Sequence, residues 1–207
     1  MLLNIHPDNP DSRKIAQVCQ CLEQGGLIIY PTDTVYSIAC DMLNVKALTD
    51  LARLKKVRPE KANFSIICKD FGQVAAYTAQ INNQVFKVMR KLLPGPYTFI
   101  LPAGRAIPAI FSERKKTIGI RVPDNNIALA IVSQLGRPIA SVSLHDTDEI
   151  LDYSTDPELI HDRMEKLVQI VIDGGPGGLE PSTVLDCTDR EITIVREGKG
   201  DFSSFLS

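Results

Sequence analysis

Residues 26–37, Gly26-Leu27-Ile28-Ile29-Tyr30-Pro31-Thr32-Asp33-Thr34-Val35-Tyr36-Ser37, are the stretch around which the rest of the chain can be arranged. The apolar run after the glycine predicts a short buried strand, which Pro31 ends because proline has no N–H to donate to a sheet. The hydroxyl-rich residues that follow would then lie at the rim of the sheet, where open α/β folds bind ligands. A turn stabilised by Asp and Thr side chains is the equally open structural interpretation.

Strand patterns and helix patterns alternate along the whole chain. Helices are predicted where a cap residue precedes apolar residues at helical spacing: after residues 9–12, after Asn44, over 82–93, after Asn125 or Asn126, and from Asp156-Pro157. Further strands are predicted at 64–68, 97–101, 117–122, 137–143, 167–172, 183–185 and 192–195. With no linker and no internal repeat, the pattern predicts one α/β domain over residues 1–207.

The composition is that of an ordinary soluble globular protein, with 44% apolar and 23% charged residues. No apolar run approaches the ~20 residues that span a bilayer, and residues 1–7 lack the pattern of a signal peptide. We therefore expect a cytoplasmic protein without membrane contact. The net charge of −2 argues against an obligate nucleic-acid binder but allows a local basic patch.

The cysteine and histidine residues give no sign of a metal site. The five cysteines contain no CxxC pair, and the three histidines are far apart in the sequence. Cys19 and Cys21 would diverge on a helix, which makes them a poor pair of metal ligands. We expect reduced, structural thiols.

Several predicted strands end in hydroxyl groups or arginine, which would converge on one cleft with the basic segment after the second helix. These residues are Thr32, Thr34, Thr117, Arg121, Ser141, Ser143, Ser182, Thr183 and Arg196, with Lys55, Lys56, Arg58 and Lys61. Such a set suits anionic and carbonyl oxygens, at ~1.5–3 kcal/mol for each charge-assisted hydrogen bond. It shows no Ser–His–Asp arrangement, carboxylate pair or HExxH motif. Catalysis would come from positioning and electrostatics, as in adenylyl transfer.

Three of these features have a structural interpretation as well. The basic run at 53–61 is either a solvated surface or part of a site. Arg121, inside an apolar strand, needs either a ligand or an internal carboxylate as its partner. The segment Asp173-Gly174-Gly175-Pro176-Gly177-Gly178 is either a phosphate-binding nest or a flexible turn.

Seven ordered segments resemble one family. They are Tyr30–Tyr36, the Lys56-Val57-Arg58-Pro59 segment, Pro94–Thr98, Thr117–Pro123, Ser141-Val142-Ser143, Asp173-Gly174-Gly175 and Arg196-Glu197-Gly198. Over about residues 12–198 the chain is similar to the YrdC/YciO (threonylcarbamoyl-AMP synthase) family. Asn63-Phe64 and Arg196-Glu197-Gly198-Lys199-Gly200 are most similar to its YciO branch. The resemblance implies a twisted mixed α/β sheet with flanking helices around a deep basic cavity.

The activity implied by the resemblance is the synthesis of threonylcarbamoyl-adenylate. The family condenses L-threonine, bicarbonate and ATP, with Mg²⁺ on the phosphates as part of the substrate, and releases pyrophosphate. Other tRNA threonylcarbamoylation proteins then use the product to modify adenosine 37 of tRNA. Family members are also described as binding double-stranded RNA or tRNA.

The resemblance also implies residue roles. The catalytic residues would be Lys56, Arg58 and Ser143. Thr34, Arg121 and Ser182 would bind the threonine substrate, and no residue would bind a metal. The nucleotide-binding residues would be Arg58, Thr117, Ser141, Ser143 and Arg196. The basic rim that would bind RNA includes Arg53, Lys55, Lys61, Lys115 and Lys116, together with Lys56, Arg58 and Arg114.

The chain departs from the family pattern at three places. The Ser-x-Asn motif reads Ser143-Leu144-His145, Ser37 replaces a glycine, and Ala62-Asn63-Phe64 with Ile67 replaces Asn-Pro-Leu and a histidine. The departures remove two hydrogen-bond donors, the asparagine amide and the histidine imidazole, each worth ~1–3 kcal/mol of substrate binding. We expect the cavity to persist, with weakened synthase activity or a changed substrate as open outcomes. His145 either takes over the role of the asparagine or is a solvated loop residue.

Three hypotheses follow for the function. The first is a nucleotide-binding synthase of the threonylcarbamoyl-adenylate type, and the second is a non-catalytic RNA-binding module that uses the basic rim. The third is a structural globule whose basic run is solvated surface. The third predicts that Arg121→Ala changes stability but no ligand affinity.

Overall fold

The computed structural model of the chain describes residues 1–108, 117–144, 154–189 and 191–205. The strands of these residues are β1 (Leu2–Asn4), β2 (Ile28–Tyr30), β3 (Ser37–Asp41), β4 (Ser65–Ile67), β5 (Tyr97–Pro102), β6 (Thr117–Arg121), β7 (Ile139–Ser143), β8 (Ile170–Asp173), β9 (Thr183–Asp186) and β10 (Thr193–Arg196). The α-helices are α1 (Ser12–Glu23), α2 (Val45–Leu54), α3 (Phe71–Tyr77), α4 (Asn83–Leu92), α5 (Asn126–Leu135) and α6 (Pro157–Met164). Short 3₁₀ turns cover Pro59–Lys61 and Ser203–Phe205.

The predicted helix starts are confirmed by side-chain caps. The carboxylate of Asp11 accepts from the first amides of α1, and the side chains of Asn44, Asn125 and Asp156 cap α2, α5 and α6 in the same way. Such a cap is worth ~0.5–2 kcal/mol, because it satisfies N–H groups that have no partner within the helix. Gly136, with a φ of 74°, ends α5 in the left-handed conformation.

All ten strands form one mixed sheet, in the order β1-β8-β2-β3-β7-β4-β6-β5-β9-β10. The pairs β1–β8, β2–β8, β4–β6 and β5–β9 are parallel, and the other pairs are antiparallel. This confirms the expected single α/β domain with a mixed sheet.

Three elements were not predicted: β1, β3 and α3. The polar loop after Pro31 is the turn of a hairpin, in which the chain returns as β3 against β2, with Tyr30 opposite Ser37. Every residue of β3 is buried. Its sequence, Ser37-Ile38-Ala39-Cys40-Asp41, carries small and polar residues on one face, so it shows no strand-like alternation of large apolar side chains.

The two faces of the sheet are covered differently. On one face Ile38, Ile66 and Phe99 join the larger core, together with buried residues of α2 and α4. On the other face α1 and α5 cover the part around β2 and β8, where they bury Ile28 and Tyr30. No helix of the described residues covers the remainder of that second face, and this uncovered part forms the candidate site.

Candidate functional site

A cavity of about 1070 Å³ lies on the uncovered part of the sheet. Its floor consists of side chains that the register places side by side: Ser37 opposite Ser143, Ser141 opposite Ser65, and Ser65 opposite Gly119. Because directly paired residues point to the same face, small residues at these positions leave the volume open. Protein pockets for small ligands commonly occupy ~300–1,000 Å³, so this space is large enough for a sizeable ligand.

Arg121 is the buried cation of the cavity. Its Nη2 donates to Asp33 Oδ1 at 2.7 Å and to Thr34 Oγ1 at 3.1 Å. The Arg121 and Asp33 side chains are each only 8% exposed. Its Nε is buried and has no acceptor among the described residues. The internal carboxylate that Arg121 requires is therefore Asp33, and the buried Nε–H remains available to a ligand.

The loop between β2 and β3 holds Thr34 in place by local hydrogen bonds. Thr32 Oγ1 donates to the Val35 carbonyl at 2.7 Å and accepts from the Thr34 amide at 3.0 Å. Thr34 is 1% exposed but lines the cavity. Both interpretations of this segment apply, because the turn is stabilised by its own side chains and forms a wall of the cavity.

The glycine segment 173–178 packs against the loop between β2 and β3 and is hydrogen-bonded to it. The Gly178 amide donates to the Thr34 carbonyl at 2.8 Å, and the Gly177 amide donates to the Thr155 carbonyl at 2.8 Å. The Gly174 and Gly175 amides donate to Tyr36 Oη and Asp173 Oδ1. A phosphate nest needs free amides, so this segment is a packed support for the Thr34 loop, neither a nest nor a flexible turn.

Arg196 is a second cation of the cavity wall. Its Nη2 donates to the Ser182 carbonyl at 2.7 Å and lies 3.5 Å from Ser182 Oγ, which in turn is hydrogen-bonded to Thr98 Oγ1 at 2.8 Å. Partial desolvation and the nearby charge of Arg121 lower the pKa of Arg196. A bound anion would offset both effects by favouring the charged form, so Arg196 favours a negatively charged ligand.

Two serines on β7 contribute differently to the cavity floor. The Ser141 hydroxyl is hydrogen-bonded to the fully buried Tyr30 hydroxyl at 2.8 Å. The Ser143 Oγ is buried and has no partner among the described residues. A ligand oxygen or N–H can therefore reach Ser143 without displacing a protein hydrogen bond.

Most of the sequence-predicted site residues come together in this cavity. Those that line it are Thr34, Lys55, Lys61, Thr117, Arg121, Ser141, Ser143, Ser182 and Arg196. Lys56 and Arg58 are exposed and lie outside its lining, as does Arg53, which is bonded to Asp50 at 3.1 Å. Their proposed catalytic and RNA-binding roles stay predictions. Arg114, Lys115, Lys116 and His145 lie outside the described residues.

Sequence reasoning placed Asp33 in the candidate loop without a partner, and it assigned no role to Ser65, Thr98 and Gly119, which also shape the site. A signal was present for Gly119, which alternates with Ile118 and Ile120 on a strand face that also carries Thr117 and Arg121. The strands of Ser65 and Thr98 give no such signal, because Ile67 and Ile100 lie on the same faces. An alternation of this kind marks a strand face that is not packed against a helix. The role of Asp33 depends on a contact across 88 positions of sequence, for which the chain holds no local signal.

The residues that line this cavity can bind a ligand and stabilise negative charge on it. The described residues that line the cavity include lysine, arginine, serine and threonine, but no aspartate, glutamate, histidine or cysteine. The described part of the chain also contains no group of three or more potential metal ligands, and none of its helices could span a bilayer. The lining can orient anionic substrates and stabilise charge that develops during group transfer.

Comparison with known proteins gives a consistent set of similarities. The Sua5_yciO_yrdC family model, described as "Telomere recombination", matches residues 20–198. The chain is 41% identical to the protein YciO of Escherichia coli K12 over 203 residues, which cover 98% of this chain and 97% of YciO. The crystal structure of E. coli YciO has a TM-score of 0.91 at 40% identity and covers 100% of this chain and 99% of that chain.

Two more distant similarities extend to proteins with a named activity or ligand. The chain is 32% identical to the threonylcarbamoyl-AMP synthase of Coxiella burnetii over 138 residues, which cover 67% of this chain and 74% of that protein. It shares its fold with P. abyssi Sua5 complexed with L-threonine, with a TM-score of 0.89 at 24% identity over 99% of this chain and 59% of that chain.

Proposed function

This chain belongs to the Sua5/YciO/YrdC family, and we propose that it forms threonylcarbamoyl-adenylate from L-threonine, bicarbonate and ATP in the cavity. The observation that carries the proposal is the buried Nε–H of Arg121, which has no acceptor among the described residues. Such an unsatisfied group costs ~1–3 kcal/mol, and a substrate carboxylate would satisfy it. The name of the Coxiella burnetii relative and the threonine ligand of P. abyssi Sua5 support the choice of substrate.

The lining residues can be divided between the amino acid and ATP. Arg121 and Thr34 would hold the amino acid at one end of the cavity. Arg196, Lys55 and Lys61 would face the phosphates of ATP, which bring their own Mg²⁺ as part of the substrate. The hydroxyls of Thr117, Ser141 and Ser143 would orient the nucleotide.

Adenylate formation needs little acid–base chemistry from the protein. The amine of L-threonine first forms a C–N bond to the carbon of bicarbonate, which releases one water and one proton and gives the carbamate. An oxygen of this carbamate then forms a bond to the α-phosphorus of ATP, and the bond from that phosphorus to the pyrophosphate oxygen breaks. Negative charge on the phosphoryl oxygens must be stabilised while this happens, and fixed cations supply that stabilisation. On this proposal the product passes to other tRNA threonylcarbamoylation proteins.

The test combines binding with product formation. We expect ATP with Mg²⁺ to bind in calorimetry, L-threonine and bicarbonate to strengthen that binding, and pyrophosphate to be released only when all three are present. Arg196→Gln should reduce the rate of pyrophosphate release at least about tenfold, because it removes a cation from the phosphate side. Arg90→Gln is the matched control, because Arg90 is exposed on α4, and it should have no effect.

Each alternative outcome has a distinct meaning. ATP binding without coupling to threonine would contradict the threonine substrate and indicate adenylyl chemistry on another small acid. No ATP binding would contradict the proposal as a whole. The RNA-binding hypothesis stays a prediction, which a salt-dependent affinity for double-stranded RNA or tRNA would support.

A further inference from the structure

The two arginines of the cavity differ in whether a carboxylate compensates their charge. The Arg121 guanidinium contacts the Asp33 carboxylate at 2.7 Å, with both side chains 8% exposed, so this pair has no net charge. Arg196 donates to the carbonyl and hydroxyl oxygens of Ser182, and no ion pair within the described residues includes it. Of the two arginines, Arg196 and not Arg121 therefore carries a charge without a carboxylate partner among the described residues.

Asp33 is itself held in place through three different atoms. Its Oδ1 accepts from Arg121, its Oδ2 accepts from the Asp124 amide at 3.1 Å, and its backbone carbonyl accepts from Lys199 Nζ at 2.6 Å. Asp33 does not belong to the cavity lining, so it acts on a ligand through the orientation of Arg121 and through its own charge. The carboxylate thus fixes the direction of the guanidinium and neutralises its charge at the same time.

We propose that Asp33 is a positioning residue that makes the Arg121 end of the cavity select a zwitterionic amino acid over a polyanion. This inference rests on the proposed function, because it concerns the subsite assigned to threonine. A neutral ion pair attracts a polyphosphate only weakly, whereas its oriented N–H groups still bind one carboxylate. The same arrangement directs the phosphates of ATP towards Arg196, where the charge is uncompensated.

The two candidate ligands should respond to Asp33 in opposite directions. A zwitterion carries no net charge, so removal of the Asp33 charge changes its long-range attraction little. It does depend on the geometry of the Arg121 N–H groups, which Asp33 fixes. Pyrophosphate carries several negative charges and gains attraction as soon as Arg121 is uncompensated.

The experiment measures the dissociation constants of L-threonine and inorganic pyrophosphate by calorimetry at low ionic strength. For Asp33→Asn we expect threonine to bind at least about tenfold more weakly and pyrophosphate to bind about three- to tenfold more tightly. Asp162→Asn is the matched control: it makes the same change of charge at a side chain of α6 that is 77% exposed, and both affinities should stay within about twofold.

A second variant separates charge from geometry. Asp33→Glu keeps the carboxylate but moves it along a longer side chain, so threonine binding should weaken while pyrophosphate binding stays unchanged. If Asp33→Asn does not fold, the threonine and pyrophosphate affinities of Asp33→Glu still test whether Asp33 positions Arg121. Parallel loss of both ligands in a folded variant would overturn the inference and leave the proposed function intact. Wild-type protein that binds neither ligand would overturn both.

Discussion

The Tyr30 hydroxyl lies 2.8 Å from Ser141 Oγ, at the boundary between the helix-covered part of the sheet face and the cavity. Tyr30 is fully buried, and its burial raises the pKa of the phenol to about 12. One residue thus belongs to the core through its ring and orients a cavity hydroxyl through its oxygen. A substitution at such a residue therefore affects both the stability of the fold and the geometry of the site.

Tyr30→Phe should reduce the free energy of unfolding by about 1–2 kcal/mol, because the substitution leaves the buried Ser141 hydroxyl without its strongest partner. Urea denaturation measures the change. Tyr97→Phe is the control: it removes a hydroxyl that donates to the Asp201 carbonyl in the C-terminal segment, and should have a smaller effect. Equal losses in the two variants would contradict a special role for the Tyr30–Ser141 contact.

At the scale of elements, the hairpin turn between β2 and β3 and the glycine segment 173–178 act as one unit. The Tyr36 hydroxyl donates to the Gly175 carbonyl at 2.7 Å, and the Gly178 amide bonds to the Thr34 carbonyl. A Cβ atom at Gly178 would overlap the backbone of Thr34, and one at Gly177 would overlap the Tyr36 ring. Glycine is required at these positions because two backbone segments lie in direct contact.

Gly178→Ala should therefore displace Thr34 and weaken L-threonine binding at least about tenfold, with a loss of stability of about 1–3 kcal/mol. Calorimetry and urea denaturation measure the two effects. Gly175→Ala is the matched control in the same segment. Its φ of 90° makes alanine strained, but nothing lies within 4 Å of the added Cβ, so it should cost stability without a change in threonine affinity. Unchanged affinity in Gly178→Ala would contradict the supporting role of the segment.

At the scale of the whole molecule, buried thiols and phenols make the fold sensitive to alkali. Burial raises the pKa of Cys68 from 9.0 to about 12 and that of Cys19 from 9.0 to about 11. It also raises the pKa of Tyr36 from 10.0 to about 12. In the unfolded chain these groups lose their protons near pH 9–10, whereas the folded protein retains them. Their contribution to stability is therefore complete below pH 9 and is lost as the pH rises towards 11–12.

We expect the free energy of unfolding to fall from about pH 9 upwards, by up to about 1.4 kcal/mol per pH unit for each retained proton. Urea denaturation at pH 8, 9 and 10 measures this slope. Cys68→Ala should be less stable at pH 8, because it leaves a small cavity, but its slope above pH 9 should be shallower. Identical slopes in the two proteins would show that Cys68 does not contribute to the alkaline transition.

The secondary structure and the class of site followed from local patterns. Helix caps at Asp11, Asn44 and Asp156 could be predicted because each cap side chain accepts from amides only two or three positions away. The α/β class followed from the alternation of strands and helices, and the hydroxyl and arginine residues indicated a site for anionic ligands. These features depend on short-range chemistry that is contained in the chain itself.

The tertiary structure alone decided how the site is assembled. The strand β3 was missed because Ser37 and Ala39 on its cavity face carry no apolar signal, and only the pairing with β2 and β7 makes it a strand. The partner of Arg121 is 88 positions away, and Lys56 and Arg58 lie outside the lining although their neighbours Lys55 and Lys61 belong to it. Register and long-range pairing depend on the packing of the whole sheet. Residue types thus determined the chemistry that the protein can perform, and packing decided which residues meet.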